Sequence, residues 1–301
     1  MTMTDASKPS PKPIAIFERT EKKYVITRRQ FDLLMQAIGD KLRDDQYARS
    51  TISSLYFDTM EDTLINRSME KPFYKEKLRI RSYGPATEND LVFVELKKKF
   101  DGIVYKRRVQ LPRDLAIAYM QGDVSYQEAV RVAASFGALD AEEALSPSKL
   151  QTVREIDATI ARYPKLRPRI MVVVNRLSLK SIDGSNIRFT FDFNARWRHQ
   201  NLTFDQGEGG HLIYGEDERN IILEIKCQKA YPLWLVHALS NLRMYPQPCS
   251  KIAGAYTALV PVAQVGGKRV PIYQKQPLER IQTKDRYGAP VARRVKGAHC
   301  A

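Results

Sequence analysis

The sequence predicts an α+β protein, one domain of many antiparallel strands with helices at its periphery, and three observations lead there. Five short stretches put two or three charged residues on one face of a strand: Arg19-Thr-Glu21-Lys-Lys23, Arg79-Ile-Arg81, Glu95-Leu-Lys97-Lys-Lys99, Lys106-Arg-Arg108 and Glu224-Ile-Lys226. Strand residues i and i+2 share a side, and the alternating neighbours here are largely apolar, so the opposite side is expected to be buried. Turn signals at Gly84-Pro85, Asp101-Gly102 and Asp183-Gly184 join neighbouring strands at hairpin length. Segments of helical period lie before, between and after these strands. A sheet apolar outside and cationic inside cannot close on a dry core, because unpaired buried charge is too costly. Its interior is expected to hold water and a polyanion.

Taken in order, residues 1–13 are rich in Pro, Ser and Lys and read as a disordered N-terminal segment. A first strand is expected at about 14–25. A helix follows near 28–42, with Thr27 as N-cap and Leu33, Leu34 and Ile38 on its apolar face. Ser53–Asp58, Leu78–Tyr83 and Leu91–Phe100 read as strands, and Asp101-Gly102 turns the last of these into Ile103–Leu111. Pro112 opens a helical region reaching about residue 162, broken near Ser146-Pro147. Strands are predicted at Ile170–Leu179, Asn186–Phe193 and Asn220–Gln228. Helices are predicted at Leu233–Arg243 and, after the Pro246–Pro248 break, through Leu259. The folded domain thus covers 14–260, and 261–301 reads as a basic, flexible tail.

Lys and Arg number 49 against 34 Asp and Glu, a formal charge of +15, which favours anionic partners. Many of these cations sit inside apolar strands rather than in the tail. Three Cys show neither metal spacing nor a disulfide framework, as expected of reduced thiols in a cytoplasmic protein. The N-terminus has no apolar signal region, and no apolar run is long enough to span a bilayer, so any link to a membrane is expected to come through a partner protein. Four His lack ligand spacing, and phosphate-loop, nucleophile-elbow and zinc motifs are missing.

An isolated Arg-x-Arg is more often a solvated strand face, yet two adjacent guanidinium groups repel unless an anion lies between them, and their forks match phosphate oxygens. Glu95 and Lys97 alone would read as a surface ion pair of little consequence. Here Val92, Val94 and Leu96 demand burial on the other side, so their face is partly enclosed. Lys106 and Arg108 share a face across the Asp101-Gly102 turn, whereas Arg107, on the other face with Ile103, Tyr105 and Val109, is expected to be structural. Arg188 alternates with Phe189 and Phe191, and Arg176 shares parity with Val172 and Val174. Glu224 and Lys226 alternate with Leu223, Ile225 and Cys227. Such a carboxylate either pairs with cations or holds a divalent metal that bridges phosphate oxygens.

The ordered motifs ERTEKKY, SSLYFDT, KLRIRSYG, VFVELKKKFDGIVYKRR, Asn175-Arg176, Ile187-Arg188, ILEIKC and Ser250-Lys251 resemble the VTC domain, the polyphosphate polymerase branch of the triphosphate tunnel metalloenzymes within the CYTH-like superfamily. The resemblance covers about 14–260 and implies an antiparallel β-barrel tunnel with peripheral helices. It implies catalytic roles for Arg79, Arg81, Lys97, Lys106 and Arg188. Phosphate binding falls to Arg19, Lys23, Arg108, Arg176, Lys226 and Lys251. The metal, Mn²⁺ or Mg²⁺, falls to Glu224, with Glu21 as a second candidate. Hydrolytic relatives open with Glu-x-Glu-x-Lys, where this chain has Arg19-x-Glu21-x-Lys23, a change that removes a metal ligand and adds a phosphate binder. The expected activity is ATP:polyphosphate phosphotransfer, with ATP and inorganic polyphosphate as ligands and a membrane protein as a candidate recipient of the product. The rivals are a triphosphatase using the same residues and a non-catalytic module that binds polyphosphate, or nucleic acid non-specifically through the basic tail.

Overall fold

A computed structural model describes residues 20–70, 72–101, 103–204, 209–213, 221–228, 230–259, 262–265 and 268–271, the last two stretches as backbone only. Its centre is a nine-stranded antiparallel sheet. The strands are β1 (Thr20–Ile26), β2 (Leu42–Asp58), β3 (Tyr74–Tyr83), β4 (Leu91–Phe100), β5 (Ile103–Pro112), β6 (Arg167–Ser181), β7 (Arg188–Arg198), β8 (His211–Leu212) and β9 (Ile221–Cys227). They lie in the order β1-β9-β7-β6-β2-β3-β4-β5, with β8 beside β7. Hairpins account for β2–β3's neighbours to the right of this order: Phe100 pairs with Ile103 across the Asp101-Gly102 turn, where Asp101 takes a positive φ of 44°.

The expected barrel does not form. β1 and β5 are the two edges of the sheet, no ladder joins them among the described residues, and the sheet is open rather than closed or strongly curled into a tunnel. Alternation of charge and apolar residues tells which face of each strand is polar. It carries no information on whether the first and last strands meet, and here both edges are cationic, with Lys22 and Lys23 on one and Lys106, Arg107 and Arg108 on the other. Like charges brought into register would oppose such a ladder.

One face of the sheet is apolar along its whole width and is covered by helices in two groups. Leu55, Phe57, Leu78, Ile80, Val94, Leu96 and Val109 pack beneath α3 (Arg113–Met120), α4 (Tyr126–Ser135), α5 (Ala141–Ala144) and α6 (Pro147–Arg162). Tyr24, Ile26, Phe189, Phe191, Leu223 and Ile225 pack beneath α1 (Arg28–Ile38) and α7 (Leu233–Asn241). Thr27 caps α1 with a full capping box: its hydroxyl accepts from Gln30 N, and the Gln30 side chain accepts from Thr27 N, both at 3.0 Å. Arg107 points to this helical side and pairs with Glu155 of α6 at 2.6 Å, the structural role its parity predicts.

The other face carries the charges, and one helix crosses part of it. α8 (Lys251–Leu259) seats Ile252, Ala255 and Tyr256 on Ile52, Tyr56, Ile170, Val172 and Val174, beside Ile65 of the short helix α2 (Thr63–Met69). The approach is close: a Cβ on Gly254 would lie 2.7 Å from Ile213 Cγ2. That contact sets where the first residue of α8, Lys251, meets the sheet. Within the segment read as a tail, Val262–Val265 (β10) and Lys268–Pro271 (β11) form a separate two-stranded antiparallel sheet. The strand β2 begins eleven residues earlier than its apolar signal, and Leu42–Asp44 pairs with Leu179–Ser181 before a register shift.

Candidate functional site: a charged sheet face

Alternation along β3 puts Lys77, Arg79 and Arg81 on the charged face while Leu78 and Ile80 are fully buried behind it. Antiparallel register then aligns rows across β3, β4 and β5. Lys77, Lys97 and Lys106 form one row, and Arg79, Glu95 and Arg108 the next. Glu95 is 1% exposed and organises the second row. Its Oε2 accepts from Arg79 Nε and Nη2 at 2.9 and 2.7 Å and lies 3.8 Å from Arg81 Nε. Its Oε1 accepts from Arg108 Nε and lies within 2.8 Å of Lys106 Nζ. Burial alone would raise the Glu95 pKa, but Arg79, Arg81 and Lys106 hold it well below the ordinary carboxylate range.

A second buried carboxylate, Asp192 on β7, plays the same part. Arg176 of β6 forks onto it at 2.6 and 2.8 Å, and Lys251 Nζ of α8 reaches it at 2.6 Å. These cations overcome its complete burial and keep it ionised well below the usual range. At the β1–β9 edge, Lys23 lies opposite Glu224 and Glu21 opposite Lys226. Glu224 meets Lys226 at 2.7 Å and Lys23 at 3.6 Å, while Glu21 lies 3.4 Å from Lys23 and 3.8 Å from Lys226. Burial would raise the Glu224 pKa; Lys226 and Lys23 bring it down to about 2.

The expectation of a face holding unpaired cations is therefore refined. Glu95, Asp192 and Glu224 each pair with two or more of the cations, which lowers the cost of holding so many basic groups together while leaving the face net positive. Among the cations in the interior of the face, two escape this pairing. Lys77 and Lys97, side by side in register, make no ion pair with any described carboxylate, and the Lys77 ammonium rests on Ser250 Oγ at 3.3 Å. Burial pushes the Lys77 pKa down to about 8, and Lys97, Lys75 and Lys23 add to the effect. Burial likewise lowers Lys97, opposed by the charges of Glu21 and Glu224 and reinforced by Lys23 and Arg79.

Of the residues singled out in the sequence, Lys23, Arg79, Arg81, Lys97, Lys106, Arg108, Arg176, Glu224, Lys226, Lys251 and Glu21 share this face. Arg188 lies at its far end, across the ladder from Lys226 and Lys180, more than half exposed and paired with Asp45 at 2.8 Å. Arg19 lies outside the described residues. Lys77, Tyr56, Asp192 and Ser250 belong to the face and were not singled out as site residues. Lys77 could have been found, since it shares the parity of Arg79 and Arg81. Tyr56 could not: its hydroxyl accepts from Arg79 Nη1 at 3.0 Å only because β2 pairs Tyr56 with Arg79. Burial would raise this phenol, yet Arg79, Lys77 and Arg81 bring its pKa down to about 7.

Among the described residues no three His, Cys, Asp or Glu gather as a metal cluster. Glu21 and Glu224, two carboxylates on adjacent strands, share Lys23 and Lys226. No described helix is long and apolar enough to cross a membrane.

Fold and site together define an α+β protein whose open sheet presents one helix-covered apolar face and one cationic face. A VTC-domain family model matches residues 18–260, and the chain belongs to the VTC domain family, within the CYTH-like superfamily. No curated protein matches the chain in sequence. Solved structures similar to it include one titled as an adenylate cyclase candidate from Bacillus halodurans, with 11% identity over 76% of this chain and 92% of that one at a TM-score of 0.40. Another, titled in the same way, comes from Vibrio parahaemolyticus, with 10% identity over 79% and 98% at 0.38. Likenesses at that level carry no argument here.

Proposed function

We propose that this chain is a metal-dependent polyphosphate polymerase that moves the γ-phosphate of ATP onto a growing inorganic polyphosphate chain and releases ADP. The observation that carries this reading is the Lys77–Lys97–Lys106 row. Burial disfavours three adjacent ammonium groups, and only one of them has a carboxylate partner, so a string of phosphates laid along the row would supply the missing charge. Membership of the VTC domain family points the same way.

In this reading the terminal oxygen of the polyphosphate chain attacks the γ-phosphorus. A new P–O bond forms there, the β–γ bridging P–O bond breaks, and its electron pair leaves with ADP. The nucleophile is already anionic, so no strong base is required, and the protein's work is alignment and charge neutralisation. Arg79 and Arg81, held at fixed angles by Glu95, Tyr56 and Ser54, supply planar donors. Lys97 and Lys106 supply point charges beside them. Lys23, Arg108, Arg176, Lys226 and Lys251 bind flanking phosphates, with Arg19 and Arg188 extending the track at its ends. Glu224, with Glu21 next to it, would hold Mn²⁺ or Mg²⁺ together with phosphate oxygens, since such ions are commonly bound through one or two carboxylates plus substrate. When bound, the ion supplies neutralisation of charge on the phosphates.

The Glu21–Glu224 pair also favours a second reading, a triphosphatase in which water replaces the polymer as nucleophile. Incubation of pure protein with ATP and Mn²⁺ separates the two. A ladder of phosphate polymers is the expected product; free phosphate with no ladder would overturn the polymerase reading. Glu224→Ala is expected to abolish turnover, and removal of one cation such as Lys97 to lower the rate by about 10²–10³.

A further inference from the structure

A group of exposed apolar side chains lies at the tip of the β3–β4–β5 unit. Phe73, Phe100, Ile103 and Val104 are each about half exposed or more, at 63%, 48%, 58% and 51%. Phe73 and Phe100 stand edge to face at 4.7 Å. Asp101 N donates to Phe73 O at 3.1 Å, which ties the approach to β3 onto the hairpin turn.

Register arranges this tip by depth. The outermost row is Tyr74, Phe100 and Ile103; the row directly behind is Lys75, Lys99 and Val104; the row of Lys77, Lys97 and Lys106 follows two residues further in. Successive rows are about 3.4 Å apart. Apolar groups thus lead and ammonium groups follow, the order in which an element entering a bilayer meets acyl chains and headgroups. The apolar side chains also point to both sides of the hairpin. Phe100 and Ile103 lie on the face of Leu96 and Val109, and Val104 lies on the charged face with Lys106. A partner strand laid along the β5 edge would leave one of those sides bare, whereas a medium that surrounds the tip covers both. A second copy paired across the same edge would set Lys106, Arg107 and Arg108 against one another.

We propose that the β3–β4–β5 tip is a docking element for an anionic lipid bilayer, with Phe73, Phe100, Ile103 and Val104 entering the interface and Lys75 and Lys99 meeting acidic headgroups. This contact is made by the chain itself and is independent of its enzymatic reading.

Flotation of the full chain with phosphatidylcholine vesicles, with and without phosphatidylserine, tests it. The chain is expected to float with the acidic vesicles, and the Ile103→Ser/Val104→Ser double variant to bind them at least about tenfold more weakly. Both side chains are exposed, so the thermal midpoint should stay that of the parent. In a separate Ile103→Trp variant, fluorescence from the introduced ring should shift to the blue with acidic vesicles and be quenched by brominated acyl chains. Flotation unaffected by the double substitution would assign binding to charge elsewhere on the chain and overturn the proposal. Failure of the parent to float with either vesicle, or absence of quenching, would overturn it as well.

Discussion

Tyr56 shows how far a single side chain can be moved from its ordinary chemistry by its neighbours. Three cations bring its phenol from 10.0 to about 7 despite full burial. A group whose folded pKa is depressed contributes stability that is complete above its unfolded value and is lost as pH falls through the folded one. Tyr56 therefore favours the fold above about pH 10 and gives up that contribution on the way down through about 7. Ultraviolet difference spectra should show a tyrosinate forming near neutrality that is missing from Tyr56→Phe; tyrosine titration confined to the alkaline range would contradict this. Glu95 tests the opposite sign of charge. Glu95→Gln leaves Arg79, Arg81, Lys106 and Arg108 without their shared anion, and breaking a buried pairing of this kind costs about 3–5 kcal/mol. Denaturant unfolding would measure the loss, and tripolyphosphate is expected to restore part of it in the variant.

At the scale of elements, much was legible because local signals and tertiary demand agreed. The capping box at Thr27 and Gln30 starts α1 where predicted, and Thr27→Ala is expected to cost about 1 kcal/mol in thermal or denaturant unfolding. The reversal of the chain between Phe100 and Ile103, with Asp101 at positive φ, and the break at Ser146-Pro147 fell where their residues place them. The first half of β2 was not legible. Leu-Arg-Asp-Asp-Gln-Tyr-Ala-Arg has no apolar alternation to announce a strand, and backbone bonding to β6 holds that stretch extended. The charged face was half legible for a related reason. Parity identified the cations, but the pairing of Arg79 with Glu95 and of Arg176 with Asp192 depends on register, which a single strand does not encode.

Over the whole molecule, the sequence pattern pointed to a cationic interior and the structure places the cations on one side of an open sheet. The premise that such a face needs a polyanion to exist proved too strong, since buried Glu95 and Asp192 and the largely buried Glu224 each hold two or more of its cations in ion pairs, while the face as a whole stays positive. Lys77 and Lys97 stand outside those pairs, with Ser250 and Lys251, the first residue of α8, beside them. The functional reading thus narrows from net charge to two neighbouring ammonium groups.

The free edges of the sheet, β1 and β5, have a consequence for topology of the polymer itself. A closed ring of strands would admit a strand of phosphates only by its end, like thread through a needle. A face bounded by two open edges can accept the middle of a polymer from the side and release it the same way. Long cyclic polyphosphate, which has no ends, is therefore expected to bind as tightly as linear polymer of the same length. Competition against a labelled linear chain would show it, and a cyclic polymer that failed to compete would mean that ends are what the protein grasps.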